Sequence, residues 1–133
     1  MSYAAAAALQ AAIYEQLTTW PALAGIEVVD EQPSGGGTGT FLLLGPERVV
    51  DRGDDTGAGA EHRFEISVIS DAKGFMAAKT AAAEVSNALV DATLTLGTGV
   101  LVGIRFVKAV AKRLDQGDAR RIDMTFRARV DFG

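Results

Sequence analysis

Residues 121–130 alternate without a fault. Ile122, Met124, Phe126, Ala128 and Val130 stand on one side, and Arg121, Asp123, Thr125, Arg127 and Arg129 on the other. A repeat of two puts successive side chains on opposite faces of a strand, so this segment has one face in a core and one in solvent. Residues 60–70 do the same, with Phe64, Ile66 and Val68 set against Arg63, Glu65 and Ser67. Over 100–113 the apolar parity changes near Phe106 and Val107. A strand changes faces only through a bulge or a bend. Residues 41–44 are a continuous apolar run stopped by Gly45-Pro46, which predicts a buried strand, and 47–52 is extended. Residues 26–30 and 93–96 complete the set as short strands. Two other segments carry the helical period. Leu9, Ile13 and Leu17 make a narrow stripe over 3–19, where Ala4 to Ala8 supply helix propensity and Ser2 an N-cap. Trp20-Pro21 stops that helix, because a residue before proline leaves the helical region. A short turn follows from Pro21 to Gly25. Phe75, Ala78, Ala82, Val85 and Leu89 share one face over 75–92.

The elements therefore run α-β-β-β-β-α-β-β-β. That order predicts an α+β fold, a mostly antiparallel sheet with two helices packed on one side of it. The connections are glycine-rich loops at 32–40 and 53–59 and a hairpin turn at 115–118. There is no internal repeat and no linker, and 133 residues suit a single domain over 1–133. One sheet face and the sheet edges are left uncovered. Such edges are a liability in a solitary protein and an assembly surface in a subunit.

Composition narrows the chemistry. No apolar run reaches the ~18 residues of a membrane span. The alanine run near the start lacks the basic lead-in of a secretion signal, so a soluble protein made inside the cell is expected. With no cysteine and one histidine, thiolate and multi-histidine metal sites are excluded. Asp51, Asp54, Asp55 and Glu61 cluster, but without the spacing of a calcium loop. His62 and Ser67 have opposite parity on one strand, so they do not form a nucleophile–base pair. No glycine motif opens a helix toward a phosphate. No catalytic residue, cofactor or metal is expected.

Charge is unevenly spread. Residues 1–60 hold two basic side chains, Arg48 and Arg52, against eight acidic ones, while 101–133 hold eight basic against four acidic. The formal net charge of −4 argues against a general duplex-DNA binder. The outward row Arg121, Arg127 and Arg129 has no interleaved aromatic for stacking on single strands. An acidic front half and a basic last strand are complementary patches for contact between copies. The candidate interface residues are Arg48, Arg52, Asp54, Asp55, Glu61, Arg121, Arg127 and Arg129.

Four phrases carry a family resemblance. They are Tyr3-Ala-Ala-Ala-Ala-Ala-Leu9-Gln-Ala-Ala-Ile13-Tyr, Leu44-Gly-Pro-Glu47, Arg52-Gly-Asp-Asp-Thr-Gly57-Ala-Gly-Ala-Glu61-His62-Arg63-Phe64 and Arg120-Arg-Ile-Asp123-Met-Thr-Phe126-Arg-Ala-Arg129-Val. In this order they resemble the tail-completion or tail-terminator proteins of siphophage-type tails. The similar version is that of alphaproteobacterial gene transfer agents. The resemblance implies a tail-terminator-like fold and a structural, non-enzymatic virion protein made in the bacterial cytoplasm. It implies a homohexameric ring at the head-proximal end of the tail tube. Such a ring halts tube growth and joins the tail tube protein to the head-tail connector or stopper protein. DNA passes through its lumen without sequence-specific binding, and no membrane is involved. The glycine run at 35–39 departs from a typical member, so no contact is carried over to that loop. The alternative within the same particle is a head-side connector adaptor or a tail tube subunit.

Overall fold

The computed structural model describes residues 3–31, 39–53, 57–71, 75–113 and 119–132. Its elements are α1 (Ala6–Thr19), a 3-10 turn (Pro21–Leu23), β1 (Glu27–Val29), β2 (Thr40–Asp51), β3 (Gly59–Ser70), α2 (Met76–Leu89), β4 (Val100–Arg113) and β5 (Arg120–Asp131). The strands form one sheet in the order β1-β2-β3-β5-β4. All neighbours are antiparallel except β1 and β2, a parallel pair at one edge. This is the expected α+β arrangement, with helices and strands in the expected sequence.

The detail within that order is finer than the side-chain pattern alone conveys. Residues 41–44 and 47–52 are two halves of the single strand β2, hinged at a register shift between Leu44 and Glu47. Gly45 and Pro46 occupy the shift. A Cβ at Gly45 would come within 3.2 Å of the Glu65 carbonyl oxygen, and a proline is tolerated in a strand where the ladder is already interrupted. Residues 93–96 carry no strand pairing; Leu94 and Leu96 pack against the core from an irregular segment. Helix α1 starts at Ala6 with no side-chain cap, and Ser2 lies outside the described residues. It stops at the expected place, where Trp20 turns extended ahead of Pro21. Phe75, expected on the apolar face of α2, instead sits at its N-cap position, half-buried. Lys79 and Arg120 lie over its ring, 5.5 and 5.3 Å from the centroid. The cause is position: a residue ahead of the first helical turn does not share the helix's periodic face.

Both helices lie on one side of the sheet. Leu9, Ile13 and Leu17 of α1 and Ala78, Ala82, Val85 and Leu89 of α2 join Phe64, Ile66, Val68, Ile122, Met124, Phe126 and Ala128 in one buried cluster. Alanines on α2 let that helix approach the strands closely. Phe126 is fully buried, stacked on Phe64 at 5.7 Å and meeting Phe106 edge-on at 5.9 Å. Two polar contacts tie the helices to each other: Gln16 Nε2 donates to the Ala88 carbonyl at 2.9 Å, and Trp20 Nε1 to Glu84 Oε1 at 3.1 Å. The cluster takes up the buried stripe of each helix, and among the described residues no helix covers the far face of the sheet.

Candidate functional site

The register of the four long strands decides what the uncovered face carries. Arg48 of β2 is opposite Arg63 of β3, Arg63 is opposite Arg127 of β5, and Arg127 is opposite Arg105 of β4. Four arginines thus cross four adjacent strands in one row, about 4.8 Å apart from strand to strand. Like charges placed directly opposite in a sheet repel. The described residues give this row one carboxylate, Glu61. Its oxygens lie 3.2 Å from Arg63 Nε, 3.9 Å from Arg127 Nε and 3.8 Å from Arg52 Nε. On the same face stand Lys108, Lys112, Arg121 and Arg129, against Glu65, Asp123 and Asp131. The face as a whole is basic. It is slightly concave between β2 and β4, a groove of about 510 Å³ lined by residues that include Arg48, Arg63, Glu65, Lys108 and Asp123.

A second cluster centres on Asp123. Its Oδ1 accepts from Ser67 Oγ at 2.6 Å and from Arg121 Nε at 2.7 Å, and Lys112 Nζ is 3.4 Å from Oδ2. Burial of this carboxyl raises its pKa, but hydrogen bonds from Ser67 and Arg121 and the charge of Arg121, aided by Lys112, outweigh burial. The result lies below the usual 3.8. A third contact holds Arg129: its Nε donates to Asp131 Oδ1 at 2.9 Å and its guanidinium to the Arg52 carbonyl at 3.1 Å. Gly59 leaves room for this contact: a Cβ there would come within 2.8 Å of the guanidinium and would push the Arg129 side chain aside.

Of the residues expected at an interface, Arg48, Arg52, Glu61, Arg127 and Arg129 are therefore gathered on this face, and Arg121 stands on it with Asp123. Asp54 and Asp55 lie outside the described residues. Asp51 and Glu61, grouped by the sequence as acids, point to opposite faces, since Asp51 pairs with core-facing Ala60. His62 is fully buried on the helix side, its Nδ1–H donating to Glu47 Oε2 at 2.9 Å, while Ser67 is on the open face. Their opposite parity holds, and no nucleophile–base pair forms between them.

Sequence reasoning set Arg63 outward but did not count it, or Arg105, Lys108 and Lys112, among the candidate interface residues. It also missed a second recess, about 660 Å³, between α1 and β1, whose lining includes Ala7, Ala11, Tyr14, Val28, Asp30 and Glu31. The alternation of β3 and β5 carried a signal for Arg63, but the cross-strand row depends on register.

A family model described as Tail completion protein gp17 matches residues 11–131. The chain belongs to that family. It is also similar to a chain in a solved structure titled "Virion of native gene transfer agent (GTA) particle", at 56% identity, covering 98% of this chain and 99% of that one, with a TM-score of 0.86. The search of curated proteins returned no match. Tail completion is a structural task in the virion tail.

Two outcomes are expected of this tail completion protein. The folded Asp123 carboxyl titrates below its unfolded value, so the unfolded chain binds the extra proton and stability rises with pH in that window. Stability measured by denaturant should thus hold above about pH 4 and decline as pH falls from there through the folded pKa, and Asp123→Asn should flatten that part of the decline. Arg48→Thr removes one repelling member of the row and adds a good strand former. It should leave the isolated chain unchanged or more stable, by up to about 1 kcal/mol in the same assay. A loss of more than that would show that the row is held by contacts within the chain.

Proposed function

We propose that this protein is a tail terminator of a gene-transfer-agent-like particle. In this reading the whole chain, 1–133, is one terminator domain that works in the virion tail. Copies close into a ring, a hexamer, at the head-proximal end of the tail tube. The ring halts tube growth and offers its other side to the head-tail connector or stopper protein. DNA passes through the lumen, without sequence-specific binding. The protein acts by fitting to other chains and transforms no substrate.

The observation that carries this reading is the arginine row. A lone domain gains nothing from four opposed guanidiniums with one shared carboxylate. A subunit does, because an acidic surface on another chain completes the set and the excess charge steers encounter. The chain has such a surface itself: Glu15 on α1 and Glu27, Asp30 and Glu31 at the β1 edge are all exposed, on the far side of the molecule from β4. Family membership and the likeness to a chain of a gene transfer agent virion support the setting. Arg48, Arg52, Asp54, Asp55, Glu61, Arg121, Arg127 and Arg129 are on this reading contact residues between chains.

Deletion of the gene tests the role. Electron microscopy of the resulting lysate should show filled heads and separate tails of uncontrolled length. Tails of normal length lacking only head attachment would instead favour the connector adaptor, and absence of any tube would favour the tube subunit.

A further inference from the structure

The ring reading leaves open which surfaces of neighbouring copies meet, and the two edges of the sheet answer it. At one edge, no strand among the described residues pairs with the outer side of β4; the Asp91 N–H donates to its Ile104 carbonyl at 3.1 Å. Two register shifts, between Leu101 and Gly103 and between Phe106 and Lys108, leave Val102 and Val107 as extra residues in the ladder. A bulge re-aims its side chain, and here Val107 lines the β4 side of the open-face groove with Val110, while Val102 stands beside Arg105 and Arg129. Both valines are accordingly exposed, 61% and 40%, and with Val100, Phe106 and Val110 they make β4 the holder of most of the exposed large apolar side chains among the described residues. Arg105 and Lys108 flank Val107 on the same strand, both exposed. An edge guarded only against aggregation would carry charge without this apolar row.

The opposite edge is its counterpart. The recess between α1 and β1 is walled by Ala7, Ala11, Val28 and Leu44, with exposed Tyr14 beside it and the carboxylates of Asp30 and Glu31 at its rim. Apolar projections between cations at one edge thus correspond to an apolar recess rimmed by carboxylates at the other. We infer that the β4 edge of one copy docks into the α1–β1 recess of the next, with Val107 in the recess and Arg105 and Lys108 against Asp30 and Glu31. The occupant of the recess is a second copy of this chain. Since the two surfaces are different and lie at opposite edges of one sheet, the contact is head-to-tail, the kind that builds a ring when the rotation between copies closes. This inference rests on the ring reading and specifies its interface.

Reciprocal charge reversal tests it. One variant carries Arg105→Glu with Lys108→Glu, the other Asp30→Lys with Glu31→Lys. All four positions are exposed, and circular dichroism checks that each variant folds. Self-assembly is read by native mass spectrometry of the purified full chain and by its copy number in particles from producing cells. Each variant alone should assemble at least about tenfold more weakly than the unmodified chain, because like charges then face each other. Mixed in equal amounts, they should assemble again, with the two variants in equal number. Either variant assembling alone as well as the unmodified chain, or a folded mixture that fails to assemble, would overturn the interface while leaving the ring intact. An unmodified chain that is solitary in the particle would overturn the ring reading and this inference together.

Discussion

The structure depends on the register between β3 and β5. Ala60, Phe64, Ile66 and Val68 pair with Val130, Phe126, Met124 and Ile122 in one unbroken antiparallel ladder, and His62 with Ala128. Because side chains alternate in both strands, this register sends every one of those residues to the helix side. A slip of one residue would set Phe126 opposite a charged position and turn one strand's core face to solvent. Burial of the two phenylalanines against each other therefore fixes the entire cross-strand arrangement of charge on the far side. The arginine row and the Asp123 cluster follow from the packing of the core.

The same ladder explains why the protein has two layers. Both helices are narrow, apolar on one stripe each, and together they cover only one face of a five-stranded sheet. No third layer exists among the described residues to neutralise the other face. Local charge balance is incomplete: Glu61 serves three arginines, at 3.2 to 3.9 Å, and Asp123 serves Arg121 and Lys112. The cationic partners in these pairs are partly exposed, which limits what each pair contributes to the stability of a single chain. On the proposed reading their value is in recognition, where the same charges are desolvated against another surface.

Much of this was legible in the sequence because it is local. The alternation of β5 and β3, the stripe of α1, its stop at Trp20-Pro21 and the bulge near Phe106 and Val107 all depend on residues a few positions apart. The opposite parity of His62 and Ser67 is local too, and the structure keeps the two side chains on opposite faces of the sheet. What was not legible is non-local. The parallel pairing of β1 and the merging of two segments into β2 depend on partners elsewhere in the chain. So does the failure of 93–96 to join the sheet, since its leucines are satisfied by the core without a ladder. Arg63 and Arg127 are visible as outward residues, but only the pairing of four strands puts them in line with Arg48 and Arg105. The bulge at Val102 shifts parity between Leu101 and Ile104, but Val100, Leu101 and Val102 are all apolar and hide the shift, and the α1–β1 recess is made by two elements whose contact the side-chain pattern does not encode.

On the proposed reading the site is a surface completed by other molecules. Family membership, the basic open face and the two unlike edges agree on a subunit whose work is done by position and contact. A three-dimensional reconstruction of the tail end in purified particles is the most direct measurement. The expected result is one closed ring of this chain, between tube and connector, with β4 of each copy against the α1–β1 edge of the next. The account is contradicted if the chain is found repeated along the tube, or as an isolated copy with its open face and both edges in solvent.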